Sequence, residues 1–223
     1  DEADRYASSG QVAKALNEYR KLHREYPEDL GFMNRIGDLC VQAGRLEDAS
    51  AMFKLLAQKY HRNQEGKKAI ALLKRVVKLL PGDKDVAGLL VEQLMASGAS
   101  KEAAQVHFQL ALHLEKLGDA EGALDLFAQG VAADPSNLNQ RMALAQRCAE
   151  AGQKEKAAGY FLDAAEALVL ARRDEDARTA LGRAKTLTDS PRLVLTQARL
   201  ELVTGQAPEA VKVLLAALAA HRG

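Results

Sequence analysis

The sequence predicts an all-α protein in which antiparallel helices stack in tandem as an α-solenoid. Gly44, Gly98 and Gly152 lie 54 residues apart, and an alanine follows each of them by five residues. Aromatic residues make up only 4% of the chain, and the apolar residues are mostly Ala and Leu, which favour helices over strands. A fixed period of this length is typical of arrays in which each unit packs only on its neighbours.

Each 54-residue period divides into three helices. Apolar residues recur at steps of three and four, and glycines such as Gly44 stand where a helix end needs a left-handed residue. Ser190 and Pro191 are typical of an N-cap followed by proline at the first helical position. The predicted helices of the first full period are 30–43, 46–62 and 66–80, and the chain holds about 12–13 in all.

Small and aromatic residues recur in a fixed order along the chain. The first set is Tyr6, Gly10, Ala15, Tyr19 and Pro27, and a later frame carries Gly118, Ala123, Phe127 and Pro135. These residues stand at the offsets of the tetratricopeptide repeat, and the chain resembles that family over nearly its whole length. It implies a right-handed superhelix of antiparallel helices that forms a single domain over residues 1–223.

The repeat departs from the family pattern in the spacing of its frames. Frames start near residues 30, 50, 84, 104, 138, 158 and 192, so steps of 20 and 34 alternate. We interpret this as overlapping frames, in which the second helix of one frame is also the first helix of the next. A shared helix packs on both sides and should have a wide apolar stripe. The stripes are predicted at 46–60 (Leu46, Ala49, Met52, Phe53, Leu55, Leu56, Ala57, Tyr60) and at 103–117 (Ala103, Ala104, Val106, Phe108, Leu110, Ala111, Leu112, Leu114, Leu117).

Neither end of the array has the polar outer helix that normally closes a solenoid. Residues 1–9 resemble the tail of a shared helix, and the last helix, predicted at 207–221, ends in an alanine-rich run. The chain also begins at Asp1 rather than Met. We therefore expect a fragment of a longer protein, and end-to-end self-association stays open.

The sequence contains no motif for catalysis, a cofactor or a metal. It lacks phosphate-binding and dinucleotide-binding glycine loops and a helical pair of zinc-ligating histidines. Cys40 and Cys148 occupy the same repeat position, which favours small core residues. His107 and His113 are six residues apart, too far to share a helix face as a metal pair. We expect no enzyme activity and no cofactor.

The charges of the chain nearly balance, with 31 Lys and Arg against 30 Asp and Glu. This balance argues against nucleic acid as a partner, and no apolar run is long enough for membrane insertion. A cytoplasmic location is favoured. The basic stretch from Lys67 to Lys78 is either a solvated helix face or a site for an acidic partner segment.

The family binds peptides or folded proteins through exposed positions of each first helix. Carried over by frame, the resemblance implies ten partner-binding residues: Asn34, Arg35, Asp38, Gln42, Lys54, Gln58, Arg62, Glu92, Asn139 and Gln146. It also offers Asp85, Glu150, Arg192, Thr196 and Arg199 as exposed positions. The alternative is that these are ordinary exposed polar residues. The lysines of the family's carboxylate clamp are missing, so a chaperone-tail site is not expected.

The resulting hypothesis is a scaffold or adaptor that binds a protein or peptide partner. Two alternatives stay open, a self-assembling structural segment and a regulatory arm of an enzyme or of a secretion or motility complex outside this segment. The Ala- and Leu-rich, Ile-poor composition resembles that of scaffold proteins from GC-rich bacteria. This analogy does not choose among the alternatives.

Overall fold

The computed structural model describes residues 2–220, and this part of the chain consists of helices joined by short turns. It contains thirteen α-helices and no strand, which confirms the all-α prediction. The helices are α1 (Glu2–Ser8), α2 (Val12–Glu25), α3 (Leu30–Gln42), α4 (Leu46–Arg62), α5 (Gly66–Leu79), α6 (Lys84–Ala96), α7 (Ser100–Lys116), α8 (Ala120–Ala133), α9 (Leu138–Glu150), α10 (Lys154–Leu170), α11 (Asp174–Lys185), α12 (Pro191–Val203) and α13 (Ala207–Ala220).

The helices repeat with the period that the sequence predicts. α3, α6 and α9 begin 54 residues apart, and so do α4, α7 and α10. The predicted ends of α3, α4 and α5 agree with the structure to within one residue. His221, the last residue of the predicted final helix, lies outside the described residues.

The helix ends follow local signals. Gly44, Gly98 and Gly152 have φ of 71°, 76° and 76°, so they supply the left-handed residue after a helix that other residue types adopt reluctantly. Pro191 begins α12 as predicted, with Ser190 at the N-cap position. The Ser190 side chain makes no capping hydrogen bond. Side-chain caps are made instead by Asp29, Asp83 and Asn137 at the starts of α3, α6 and α9.

The chain divides into two compact units, unit 1 (Asp1–Leu126) and unit 2 (Phe127–Gly223). In unit 1, consecutive helices from α1 to α7 pack on one another around a continuous apolar core. In unit 2, α9 to α13 do the same. Because short turns join helices in contact, successive helices run antiparallel. The single domain and the right-handed superhelix stay predictions.

The middle helices of the first and third periods pack on both of their neighbours, as an overlapping frame requires. α4 contacts α3 and α5, whereas α10 contacts α9, α11 and α12. Seven residues of α7 and eight of α10 are buried. The predicted stripe is wrong at Leu55, Leu112 and Leu117, which are 54%, 44% and 68% exposed. These leucines lie outside the arc that faces the neighbouring helices.

The core pairs a small residue on the first helix with a large one on the middle helix. A Cβ added to Gly37 would lie 2.2 Å from Cε1 of Phe53, so α3 and α4 approach closely only because residue 37 lacks a side chain.

Cys40 and Cys148 are buried as predicted, and burial raises the pKa of both thiols. His107, which replaces the repeat's phenylalanine, is partly buried, and burial lowers its pKa.

Candidate partner-binding groove

A groove runs between α4 and α6 in unit 1. It consists of three adjoining cavities of about 790, 200 and 630 Å³. The first two share Gln58, Leu89 and Glu92, and the last two share His61 and Gln93. We call this continuous depression the α4–α6 groove.

The groove brings together four of the ten predicted partner-binding residues. Lys54, Gln58 and Arg62 come from α4, and Glu92 comes from α6. They share a face because α4 residues three or four positions apart lie above one another. Asp85 lines the same cavity as Lys54. The overlapping frames therefore place residues of a shared helix and of the next first helix on one surface.

Charges at the starting end of the groove are internally balanced. Lys54 Nζ lies 3.8 Å from Asp83 and 3.7 Å from Asp85. Asp83 also accepts hydrogen bonds from Ser50 Oγ at 2.8 Å and from Val86 N at 3.1 Å. Burial opposes the ionisation of Asp83, but these hydrogen bonds and Lys54 outweigh it and lower the pKa.

Ser50 was not predicted as part of this site. Its equivalents one and two periods later are Ala104 and Ala158, which are buried. Ser50 is also buried, at 2% exposure, but its hydroxyl is satisfied by Asp83. A serine that replaces alanine at a repeated core position was the available signal, because a buried hydroxyl needs a partner.

The other end of the groove carries cations without partners. Three of the five cations in the basic stretch form ion pairs, Lys68–Glu65, Lys74–Glu102 and Arg75–Asp38, and Lys59 before the stretch pairs with Glu28. Arg62 and Lys67 line the groove, and within residues 2–220 neither forms an ion pair. His61 lies beside them. Arg62 and Lys67 therefore leave two unmatched positive charges at this end of the groove.

The four predicted residues on α3 form a different surface. Asn34 donates to Asp38 at 3.4 Å. Asp38 Oδ1 lies 2.5 Å from Arg75 Nη1 and forms an ion pair with it, although the contact does not have hydrogen-bond geometry. The Arg75 guanidinium also covers the ring of Phe53. Arg35 and Gln42 are exposed. Asp38 is therefore used to hold α3 and α5 together.

The two predicted residues of unit 2 lie on α9. Asn139 is exposed. Gln146 donates to Glu150 at 2.8 Å and accepts from Arg183 at 3.0 Å. Gln146 is the equivalent of Asp38 two periods later, and Arg183 is the equivalent of Arg75. The same bridge between first and third helices therefore recurs in both units.

The prediction that Thr196 is exposed is wrong. Thr196 is 4% exposed, and its hydroxyl lies 3.3 Å from Glu166. Arg192, on the same helix, donates to Glu166 at 2.8 Å and to Asp163 at 2.6 Å. The Arg192 hydrogen bond is the main cause that lowers the pKa of Glu166. α12 packs directly on α10, and this polar contact fills the space between them.

Residues 2–220 contain neither a side-chain cluster that could hold a metal ion nor a helix that could span a membrane. No three His, Cys, Asp or Glu side chains there are grouped so that they could hold a metal ion. Among the helices of the same residues, none has both the length and the apolarity to cross a bilayer.

Comparison with solved structures finds similar chains of low identity. The MamA RS-1 ArsTM double mutant is 16% identical over 73% of this chain and 88% of its own, with a TM-score of 0.34. The C-terminal part of a tetratricopeptide repeat-containing protein from Cytophaga hutchinsonii is 13% identical over 95% and 98%, with a TM-score of 0.31. YrrB, described as a tetratricopeptide repeat protein with an unusual peptide-binding site, is 19% identical over 80% and 87%, with a TM-score of 0.29. With TM-scores this low, no argument rests on these likenesses.

Comparison with protein families gives a direct result. No curated protein matches the chain. Two family models, both described as tetratricopeptide repeat, match residues 6–67 and 82–138. These matches together cover just over half of the chain, and they include every residue of the α4–α6 groove except Lys68, Ile70 and Leu73 of α5. The chain belongs to the tetratricopeptide repeat family.

Proposed function

We propose that the protein is an interaction scaffold and that its α4–α6 groove binds a segment of a partner protein. The observation that carries this proposal is the availability of the groove's polar groups. Gln58, Arg62 and Glu92 all line it, and within residues 2–220 the side chains of these three residues form no intramolecular hydrogen bond or ion pair. By contrast, Asp38 and Gln146, at the positions equivalent to Glu92, are both engaged.

The groove suits an extended peptide for physical reasons. Its lining includes Leu55 and Leu89 together with the Gln58 and Gln93 carboxamides, which can both donate to and accept from a peptide backbone. The helices that form it are packed on a buried core, so little ordering is needed on binding. A preformed surface loses less of its interaction energy to ordering than a flexible one does.

Cross-linking at the groove tests the proposal directly. A photo-reactive amino acid is placed at Gln58, inside the groove, and in a second protein at Ala71, which is exposed on α5. We expect covalent adducts with the same partner from the Gln58 protein and few from the Ala71 protein. Equal labelling from both positions would remove the groove as the binding surface.

A matched pair of charge variants supports the cross-linking. Arg62 ends α4, and Lys116 occupies the equivalent position at the end of α7. Arg62→Glu and Lys116→Glu therefore perturb the helix dipole in the same way, but only Arg62 lines the groove. We expect Arg62→Glu to reduce cross-linking from Gln58, whereas Lys116→Glu leaves it unchanged.

A second function, self-assembly, is favoured by one observation. Leu195, Leu202, Val211, Leu215 and Leu218, on α12 and α13, are between 54% and 62% exposed. Their exposure contrasts with α10, where Ala158, Leu162 and Ala165 stand at the positions of the three α13 residues and are buried. Several exposed apolar side chains on two helices in contact are typical of an interface. Concentration-dependent light scattering tests this: a persistent monomer excludes self-assembly.

A further inference from the structure

We infer that the α4–α6 groove selects an extended acidic segment that carries a large apolar side chain about three residues from a carboxylate. This inference rests on the proposed function and adds the chemistry of the partner. It depends on two features at different places in the groove, an open slot beside Gly88 and the unmatched cations near Arg62.

The slot exists because α6 has a glycine where the other first helices have side chains. Gly88 lies in the interior of α6 and lines the groove with Leu55 and Leu89. The equivalent residues of α3, α9 and α12 are Asn34, Met142 and Leu195. A Cβ added to Gly88 would meet nothing within 4 Å.

No packing requirement within the chain therefore explains Gly88. Glycine in a helix interior is destabilising relative to alanine, and it is used where another group must approach the backbone closely. Leu55, across the groove, is 54% exposed. An apolar side chain of a partner would fill the space over Gly88 and cover Leu55, which gives the slot both a shape and an apolar wall.

The cationic end specifies the second partner group. Arg62 and Lys67 have no acidic partner among the described residues, and His61 lines both of the cavities in which they lie. Lys68 is already paired with Glu65, so it adds little. A guanidinium binds a carboxylate through two parallel hydrogen bonds. Arg62 is therefore the group that best accounts for selection of Asp or Glu.

Glu92 does not contradict an acidic partner. It lines the middle of the groove on the opposite wall from Arg62. Its carboxylate is an acceptor, so it suits a backbone N–H between the two partner side chains. At the starting end, Lys54 is balanced by Asp83 and Asp85, which leaves no net charge there to attract a second carboxylate.

The separation of the two features sets the spacing in the partner. Leu55 and Arg62 are seven residues apart on α4, or about 10 Å along a helix that rises 1.5 Å per residue. An extended chain advances about 3.3 Å per residue. The apolar and acidic residues of the partner should thus be about three positions apart.

Selection from a random peptide library tests this motif. Phage that display random dodecapeptides are selected on the 223-residue chain, with the Arg62→Glu variant as the counter-selection target. We expect enriched sequences that place Phe, Leu, Ile or Met about three positions from Asp or Glu. Enrichment of peptides without acidic residues would overturn the inference and leave the proposed groove intact. If no peptide is enriched, or if enriched peptides bind equally to a Gln58→Arg variant, the proposed function fails as well.

A glycine substitution separates the slot from general stability. Gly88→Ala removes the slot, and Gly182→Ala is the matched control, since Gly182 is a helical glycine of α11 with equally open surroundings. Both substitutions should raise the melting temperature by about 2 °C, because alanine favours helices. Only Gly88→Ala should weaken binding of a selected, fluorescein-labelled peptide, by about tenfold. Unchanged affinity in Gly88→Ala would show that the slot is not used.

Discussion

Equivalent pairs of helices pack differently in the two units, α4 with α6 in unit 1 and α10 with α12 in unit 2. In unit 1, α4 and α6 leave a groove between them, lined by Leu55, Gln58 and Asp85. In unit 2, the equivalent residues are Asp163, Glu166 and Arg192. These three form a hydrogen-bonded ion-pair cluster, and α12 packs on α10. The space between the two helices is therefore open in unit 1, whereas in unit 2 these three side chains occupy it and α12 lies against α10.

A second pair of positions shows the same contrast in the core. Ile70 and Leu94 belong to the apolar core of unit 1. Their equivalents in unit 2 are Arg178 and Glu201, which form a bidentate pair at 2.7 and 3.2 Å. The Glu201 side chain is only 8% exposed. Unit 2 thus has polar contacts at positions where unit 1 has apolar ones, and these polar groups of unit 2 bond to one another.

The largest expected effect is on the Arg178–Glu201 pair. Arg178→Ile should lower the free energy of unfolding by about 2–3 kcal/mol, because it leaves a buried carboxylate unpaired. This is below the range for fully buried pairs because Arg178 is 36% exposed. Adding Glu201→Leu, which restores the unit 1 residue types, should recover most of the loss. Urea denaturation measures both, with exposed Lys185→Ile as the control. A double variant no more stable than the single one would contradict the comparison.

The cluster that closes α10 against α12 gives the next largest effect. Arg192→Gln should lower the free energy of unfolding by about 1 kcal/mol at neutral pH, since the residues are partly exposed. Arg192 lowers the pKa of Glu166 in the folded state from its ordinary value of 4.5. Its stabilisation is therefore full above pH 4.5 and is lost as the pH falls through the folded-state pKa.

Thermal unfolding between pH 7 and pH 3 measures this dependence. The melting temperatures of the wild type and of Arg192→Gln should converge as the pH falls below 4.5. A gap that stays constant over the whole range would show that Arg192 acts through packing rather than through its charge.

The turns after the middle helices give a smaller effect. Gln64 and Arg172 have φ of 62° and 58°, whereas the equivalent residue between them in the sequence is Gly118. Gln64→Gly should raise the free energy of unfolding by about 0.5 kcal/mol. Glycine removes the strain of a side chain in the left-handed conformation, and this gain exceeds the loss that comes from the greater entropy of glycine in the unfolded chain. Arg172→Gly should raise the free energy of unfolding by less, because it also removes the hydrogen bond that the Arg172 side chain donates to Val203 O at 2.7 Å. Equal gains in urea denaturation would mean that this hydrogen bond adds nothing.

The smallest effect on stability comes from closing the groove. The triple substitution Leu55→Asp, Gln58→Glu and Asp85→Arg copies the unit 2 cluster into unit 1. We expect the free energy of unfolding to change by less than about 0.5 kcal/mol, as for other surface ion pairs. Binding of a selected peptide, measured by fluorescence anisotropy, should nevertheless be lost. Peptide binding that survives would break the proposed link between the open groove and function.

The sequence predicted the helices well because their limits depend on near neighbours. Gly44, Gly98 and Gly152 each end a helix through their own φ, and Asp83 starts one by bonding to a backbone N–H three residues ahead. The period carries these signals through the chain. Overlapping frames follow from the same spacing, and they agree with the packing of α4 on both α3 and α5 and of α10 on both α9 and α11.

Which predicted residues would be available was harder to infer. Asp38, Gln146 and Thr196 were all predicted as exposed contact positions, yet each interacts with another helix. Leu55 was predicted as core but lies in the groove. The position of a residue in the repeat shows which face of its helix it lies on. It does not show which side chain of a neighbouring helix lies opposite.

The helical class, the 54-residue period and the ends of the helices could thus be inferred from the residues alone, because they depend on backbone preferences within a few residues. Which polar groups are engaged and which are open depends instead on how the helices pack. Arg192 meets Asp163 29 residues away, and Asp38 meets Arg75 across α4. Such contacts depend on which side chains two packed helices present to each other, and that pairing differs from one period to the next even where the backbone repeats.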